Sequence, residues 1–158
     1  MSTTHKTNAL RMLETLGIAH EVATHPVGEE HFDAAEVARL LGISPEMLFK
    51  TLVARGGPEE VFVFCIPGNA ELDLKKAARV TGARKVELLP LKDLTPLTGY
   101  VRGGCSPIGM KKKFPTWIDK IATAQEKIYV NAGGRGMQMI LAPSDLLRAA
   151  DARYADLV

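Results

Sequence analysis

The chain has 158 residues, 46% of them hydrophobic and 24% charged, with a net charge of +2 at pH 7. That balance excludes a disordered chain and allows one domain with a proper core, while the charge is too small to announce a nucleic-acid binder by itself. Two cysteines, Cys65 and Cys105, make no disulfide framework, and no run is apolar enough for a signal peptide or a membrane span, so a cytoplasmic protein is expected.

In chain order, Asn8 is placed to cap a first helix whose Leu10, Leu13 and Leu16 recur at helical spacing, with Gly17 as its stop. Residues 18–24 alternate apolar and polar side chains, as an edge strand does. Residues 33–41 read as a second helix ending at Gly42, and Ser44-Pro45-Glu46 opens a short third. KTLVA and VFVFCI then flank Gly56-Gly57-Pro58 as a hairpin. A helix over about 73–80 closes at Gly82, and KVELL follows as a short strand. After the segment GYVRGGCSPIG (99–109) come FPTWID, the strand KIYV, the glycine turn NAGGRG and the strand MQMILA. Ser144 and Asp145 start a final helix. Short strands interleaved with helices and no linker predict a single α+β domain, 1–158, built on one curved mixed sheet flanked by helices.

Few residues suggest chemistry by type alone. His5, His20, His25 and His31 all fall early in the chain without metal-ligand spacing, so neither a metal nor a cofactor is expected. Cys65 sits in an apolar run and reads as a buried free thiol. The glycines of 99–109 make either a tight turn or a backbone nest whose N–H groups can approach a ligand. Cys105, in the same segment, has no His near it in sequence to lower its thiol pKa. Lys50 heads a strand in MLFKTLVA, where it either reaches solvent or points into a cleft. Lys111, Lys112 and Lys113 form a run that is either a solvated face or a phosphate contact.

FKTL (49–52), LDLKKAA (72–78), GYVRGGCSPIG (99–109), KKKFPTWID (111–119) and IYVNAGGRG (128–136) occur in one order. Together they closely resemble the YbaK/EbsC family of aminoacyl-tRNA deacylases, whose fold is also the editing insertion of bacterial prolyl-tRNA synthetases. The resemblance covers nearly the whole chain. It implies a trans-editing enzyme that clears cysteine mischarged on tRNA(Pro), and also Cys-tRNA(Cys), using the substrate's own thiol. It implies Lys50 and Gly104 as catalytic groups, and Phe32, Thr51, Gly103, Ser106, Asn131, Gly133 and Arg135 as substrate contacts. Lys111, Lys112 and Lys113 become candidate tRNA contacts. The expected partners are the 3′ acceptor end of an aminoacyl-tRNA and a prolyl-tRNA synthetase, with no DNA and no membrane.

Three positions depart from the family pattern. Asn131 stands where a serine is common, Gln138 where an aspartate is common, and His25 where a tyrosine is common. These departures leave the deacylase assignment standing but open the alternative of a water-dependent deacylase for another small amino acid such as alanine. The alternative from another class is a non-catalytic module that binds tRNA or the synthetase.

Overall fold

In this computed structural model residues 6–27 and 33–158 are described, and Phe32 and His31 lie outside them. A first helix, α1 (Asn8–Thr15), is capped by Thr7, whose hydroxyl receives the Leu10 N–H. The expected cap, Asn8, is instead the first helical residue. A Thr cap stabilises a helix by about 1 kcal/mol, and this one also donates to Ala132 O, tying α1 to a strand far along the chain. Strand β1 (Glu21–Thr24) is shorter than the alternation predicts, because Ile18 is drawn into the core instead.

Helix α2 (Ala34–Leu41) runs from an Asp33 cap to Gly42 in the left-handed conformation. Pro45–Met47 makes a single 3-10 turn rather than a helix. Strands β2 (Leu48–Gly57) and β3 (Glu60–Pro67) form the central hairpin, with β2 running through Gly56 and Gly57. Asp73 caps α3 (Leu74–Thr81), and β4 (Glu87–Leu88) is all that forms of the KVELL strand.

Helix α4 (Leu91–Thr98) was not expected, since it carries Pro96 inside it. A late proline forfeits one backbone bond, and the packing of Leu94 and Leu97 on the core below offsets it. FPTWID supplies β5 (Thr116–Asp119), followed by a 3-10 segment, Lys120–Ala124. β6 (Ile128–Gly134) and β7 (Met137–Leu141) form the second hairpin, then α5 (Pro143–Ala149) and a short β8 (Arg153–Ala155) end the fold. α5 starts at Pro143, a first-turn proline, one residue before the expected Ser144.

Among the described residues the strands make one mixed sheet in the order β1-β7-β6-β2-β3-β5-β8, with β4 also on β2. β1 is at the edge, as its alternation predicted. Residues of β2 and β3 facing one way, Phe49 and Cys65 among them, pack with α1 and α5. Those facing the other way, Ala54, Phe62, Phe64 and Ile66, pack with α3 and Leu157. Trp117 stacks on Phe64 at 5.6 Å, contributing about 0.5–1.5 kcal/mol beyond burial.

Candidate active site

The sheet opens where β2 leaves β6. Parallel pairing joins Leu48 to Tyr129 and Phe49 to Val130, and there it stops. β4 takes up the same side of β2 only at Ala54 and Arg55. Backbone groups of successive residues in a strand point to opposite sides, and those of residues two apart point to the same side. Val53 O accepts from Leu89 N on the β4 side at 2.9 Å, so Thr51, two residues earlier, turns its N–H and C=O the same way, into the fork.

A cleft of about 470 Å³ occupies this fork. α2 supplies Asp33, Ala34 and Val37, β2 supplies residues 48–52, and the β6–β7 hairpin supplies Asn131 and Gln138. The glycine segment closes the far wall with Arg102, Gly103 and Cys105. Lys50 is half-buried here and forms no ion pair with a described residue. Thr51 Oγ1 is buried without a hydrogen bond of good geometry. The Cys65 thiol across the strand pair feels that hydroxyl, but sulfur is a weak partner.

The glycine wall is a tight turn locked from behind. Gly104 N–H donates to Val101 O at 2.9 Å, and Gly103 has φ +80° at the third position, where a side chain would be strained. Asn131 Nδ2 donates both to Gly103 O and to Gly134 O at 3.0 Å, while its Oδ1 receives Gly133 N–H at 2.7 Å. A Cβ on Gly104 would come within 3.0 Å of the Arg135 nitrogen and 3.2 Å of the Gly134 carbonyl carbon. Gly104 is therefore glycine because the hairpin backbone presses on it, and its N–H is spent inside the turn. The Gly103 N–H has no partner among the described residues and sits at the cleft wall.

Tyr100 fixes the other end of the segment. Its hydroxyl donates to Ile108 O at 2.7 Å and receives the Ala9 N–H, and its ring lies where a Cβ on Gly133 would be. Sequence reasoning passed over Tyr100, although an aromatic flanking a glycine motif is a usable signal for a brace. It also passed over Asp33 and Val37, whose place in the cleft depends on how α2 packs. Ser106 is fully buried behind the loop, outside the cleft lining, with Oγ at 3.5 Å from Ile108 N. Gly133 is likewise a packing position, and Arg135 lays its side chain along Gly103 and Gly104.

Gln138 is buried, and its Nε2 lies 3.3 Å from His25 Nε2. His25 Nδ1 faces Pro26 O at 3.0 Å, which calls for a proton on Nδ1 and leaves Nε2 to accept from the amide. Cys105, also buried, has its thiol pushed up to about 12 by that burial, with the Thr98 hydroxyl opposing. At neutral pH burial favours the thiol, which is the poorly nucleophilic form. Of the lysine run, Lys113 Nζ donates to Ala150 O at 2.9 Å and Lys111 Nζ faces Pro96 O at 3.5 Å, each at the C-terminal end of a helix. Lys112 is exposed.

A family model for the aminoacyl-tRNA editing domain matches residues 28–149. Over 155 residues the chain is 48% identical to a protein of Enterococcus faecalis named as a Cys-tRNA(Pro)/Cys-tRNA(Cys) deacylase, EbsC, with 98% of this chain and 94% of that protein covered. A proline–tRNA ligase of Brachyspira hyodysenteriae is 25% identical over 84 residues, which span 53% of this chain and 14% of the ligase. A crystal structure described as a trans-editing enzyme for prolyl tRNA synthetase superposes with a TM-score of 0.84 at 26% identity, covering 98% of each chain.

Proposed function

Because this chain belongs to the aminoacyl-tRNA editing domain family, we propose that it is a trans-editing deacylase clearing cysteine from mischarged tRNA(Pro), and from Cys-tRNA(Cys) as well. Its substrate is the 3′ acceptor end of an aminoacyl-tRNA, a prolyl-tRNA synthetase is a further partner, and it works in the cytoplasm. The likeness to EbsC supports the substrate, and the likeness to a synthetase-linked editing enzyme supports the partner.

The observation that carries the mechanism is the protonated, buried Cys105 beside an unspent Gly103 N–H. With no activated nucleophile among the described residues there, the protein leaves the attack to the substrate. The cysteine sulfur bonds to its own carbonyl carbon, the ester C–O bond breaks, and the ribose oxygen leaves with the proton that the thiol gave up. The product is a small cyclic thioester and a free 3′ end. An intramolecular attack gains mostly from orientation. The Gly103 N–H meets the developing oxyanion, a contact worth roughly 3 kcal/mol in an excluded site. Lys50 holds the terminal ribose or its phosphate as a compact charge, and Thr51 offers its buried hydroxyl to the same sugar. Asn131 acts through Gly103, as the residue that positions it.

Deacylation of tRNA(Pro) charged with cysteine, alanine or serine, measured side by side, tests the reading. Cysteine should be lost fastest, with serine far slower because its hydroxyl is the poorer nucleophile. Faster loss of alanine would favour a water-dependent reaction, and binding without turnover a non-catalytic module. Cys105→Ala should keep most activity. A folded but inactive Cys105→Ala protein would make the enzyme thiol the nucleophile and end the substrate-assisted mechanism.

A further inference from the structure

We propose that Arg102 is a phosphate-binding residue at the cleft mouth, engaging a phosphodiester of the single-stranded 3′ end while the neighbouring Gly103 N–H faces the ester. The inference rests on the deacylase reading above and deepens it. Arg102 is exposed, yet it lines the cleft, at the second position of the turn closed by Gly104 N–H to Val101 O. That turn is held by the Asn131 bond to Gly103 O and by the hairpin backbone against Gly104. The guanidinium thus hangs from a fixed base, and only its own side chain has to be ordered on binding.

Charge points the same way. Arg39, Arg55 and Arg148 each lie within 4.0 Å of a carboxylate, whereas Arg102 makes no ion pair with a described residue. The one carboxylate among the described residues that line the cleft, Asp33, accepts the Glu36 N–H at the start of α2. Lys111 and Lys113 are engaged at helix ends, away from the cleft. Among the described residues, what remains at the fork is an inner ammonium, Lys50, and an outer planar fork, Arg102. A terminal nucleotide presents its ester and its diester in that order, and a guanidinium matches the two oxygens of a phosphate.

The test is binding of an uncharged tRNA(Pro) acceptor minihelix ending in CCA, followed by fluorescence anisotropy across a salt series. Arg102→Ala should weaken binding several-fold at low salt and make the slope of log K against log salt shallower by about 0.7, the value for one phosphate of a single strand. Arg102→Lys should restore the slope and only part of the affinity, and Arg102→Glu should weaken binding further. A wild-type slope in Arg102→Ala overturns the proposal, whatever happens to affinity, because a purely structural loss leaves the counter-ion count unchanged. The ligand carries no ester, so the two readings fail separately. Absent turnover of Cys-tRNA(Pro) by the wild type sinks the deacylase, and unchanged slopes sink the subsite.

Discussion

Lys50 and Cys105 line the same cleft, and the surroundings of each set what it can do. An ammonium beside an oxyanion donor contributes by position, so Lys50→Ala should cut single-turnover deacylation by at least ~100-fold, about 2.7 kcal/mol of barrier. Its melting temperature should stay close to wild type, since Lys50 forms no ion pair with a described residue. Undiminished turnover would remove Lys50 from the mechanism. Lys50→Arg should be impaired too, because a planar fork does not replace a compact charge in a tight site. The thiols give a separate readout. Burial raises Cys65 and Cys105 from 9.0 to about 12, so above pH 9 the unfolded chain loses protons that the folded chain keeps. Stability that is complete below the unfolded pKa is then lost as pH rises, by up to about 1.4 kcal/mol per thiol per pH unit. Thermal melts should show this alkaline fall, and Cys65→Ala should make it shallower. An equally steep fall in that variant would move the cause elsewhere.

At the scale of elements, the local signals and the tertiary ones separate cleanly. Helices α2 and α3 were legible because a helical run and a terminal glycine agree over a short window, and the structure adds an Asp cap to each. The β2–β3 hairpin was legible because two β-rich runs flank Gly56-Gly57-Pro58. α4 was not, since Pro96 contradicts its neighbours and only packing decides. β8 was not either, because its three residues owe their strand form to the parallel partner β5. The glycine segment read as either a tight turn or a ligand nest, and sequence could not say which glycine would serve a ligand and which serves the fold. Asn131 supplies the test of that division. Asn131→Ala strips two carbonyls and one N–H of their partner, costing about 1–3 kcal/mol, and frees Gly103 to drift. Deacylation should fall by more than the loss of stability explains, with KM for the tRNA little changed. A matching rise in KM instead would mean that Asn131 touches the substrate. Gly104→Val should damage the protein by pushing the β6–β7 hairpin away, visible as a lowered melting temperature.

Over the whole molecule, residues far apart in sequence meet because the sheet brings Phe49 beside Val130 and the hairpin beside the glycine turn. No window of the sequence contains that meeting, which is why Lys50 and the glycine segment could be singled out separately but Asp33 and Val37 could not be joined to them. The lysine run shows the converse. Read as one patch, it divides in the fold into two exposed lysines that reach helix ends and a third, Lys112, that makes no such contact. Lys111→Ala and Lys113→Ala should each lower stability by about 0.3–1 kcal/mol through lost helix-terminal attraction. Lys112→Ala should leave the melt unchanged and alone reproduce whatever shift in the salt dependence of tRNA binding a triple-alanine variant shows. Equal salt slopes in wild type and triple variant would leave Lys111 and Lys113 with their helix-end contacts alone and Lys112 as a solvated charge.

The fork has a mechanical meaning as well. Between β6 and β2 the sheet is held by a two-residue ladder, Leu48 with Tyr129 and Phe49 with Val130. Beyond it the strand edge at Thr51 faces open space and the opposite bank is the Asn131 end of the hairpin. A nucleotide seated there touches both banks, so it takes the place of the rungs that the sheet lacks. Occupancy then acts as a zip-fastener: amides of β2 and β6 at the seam should exchange with deuterium more slowly when tRNA is bound, and the empty protein should tear first along that line.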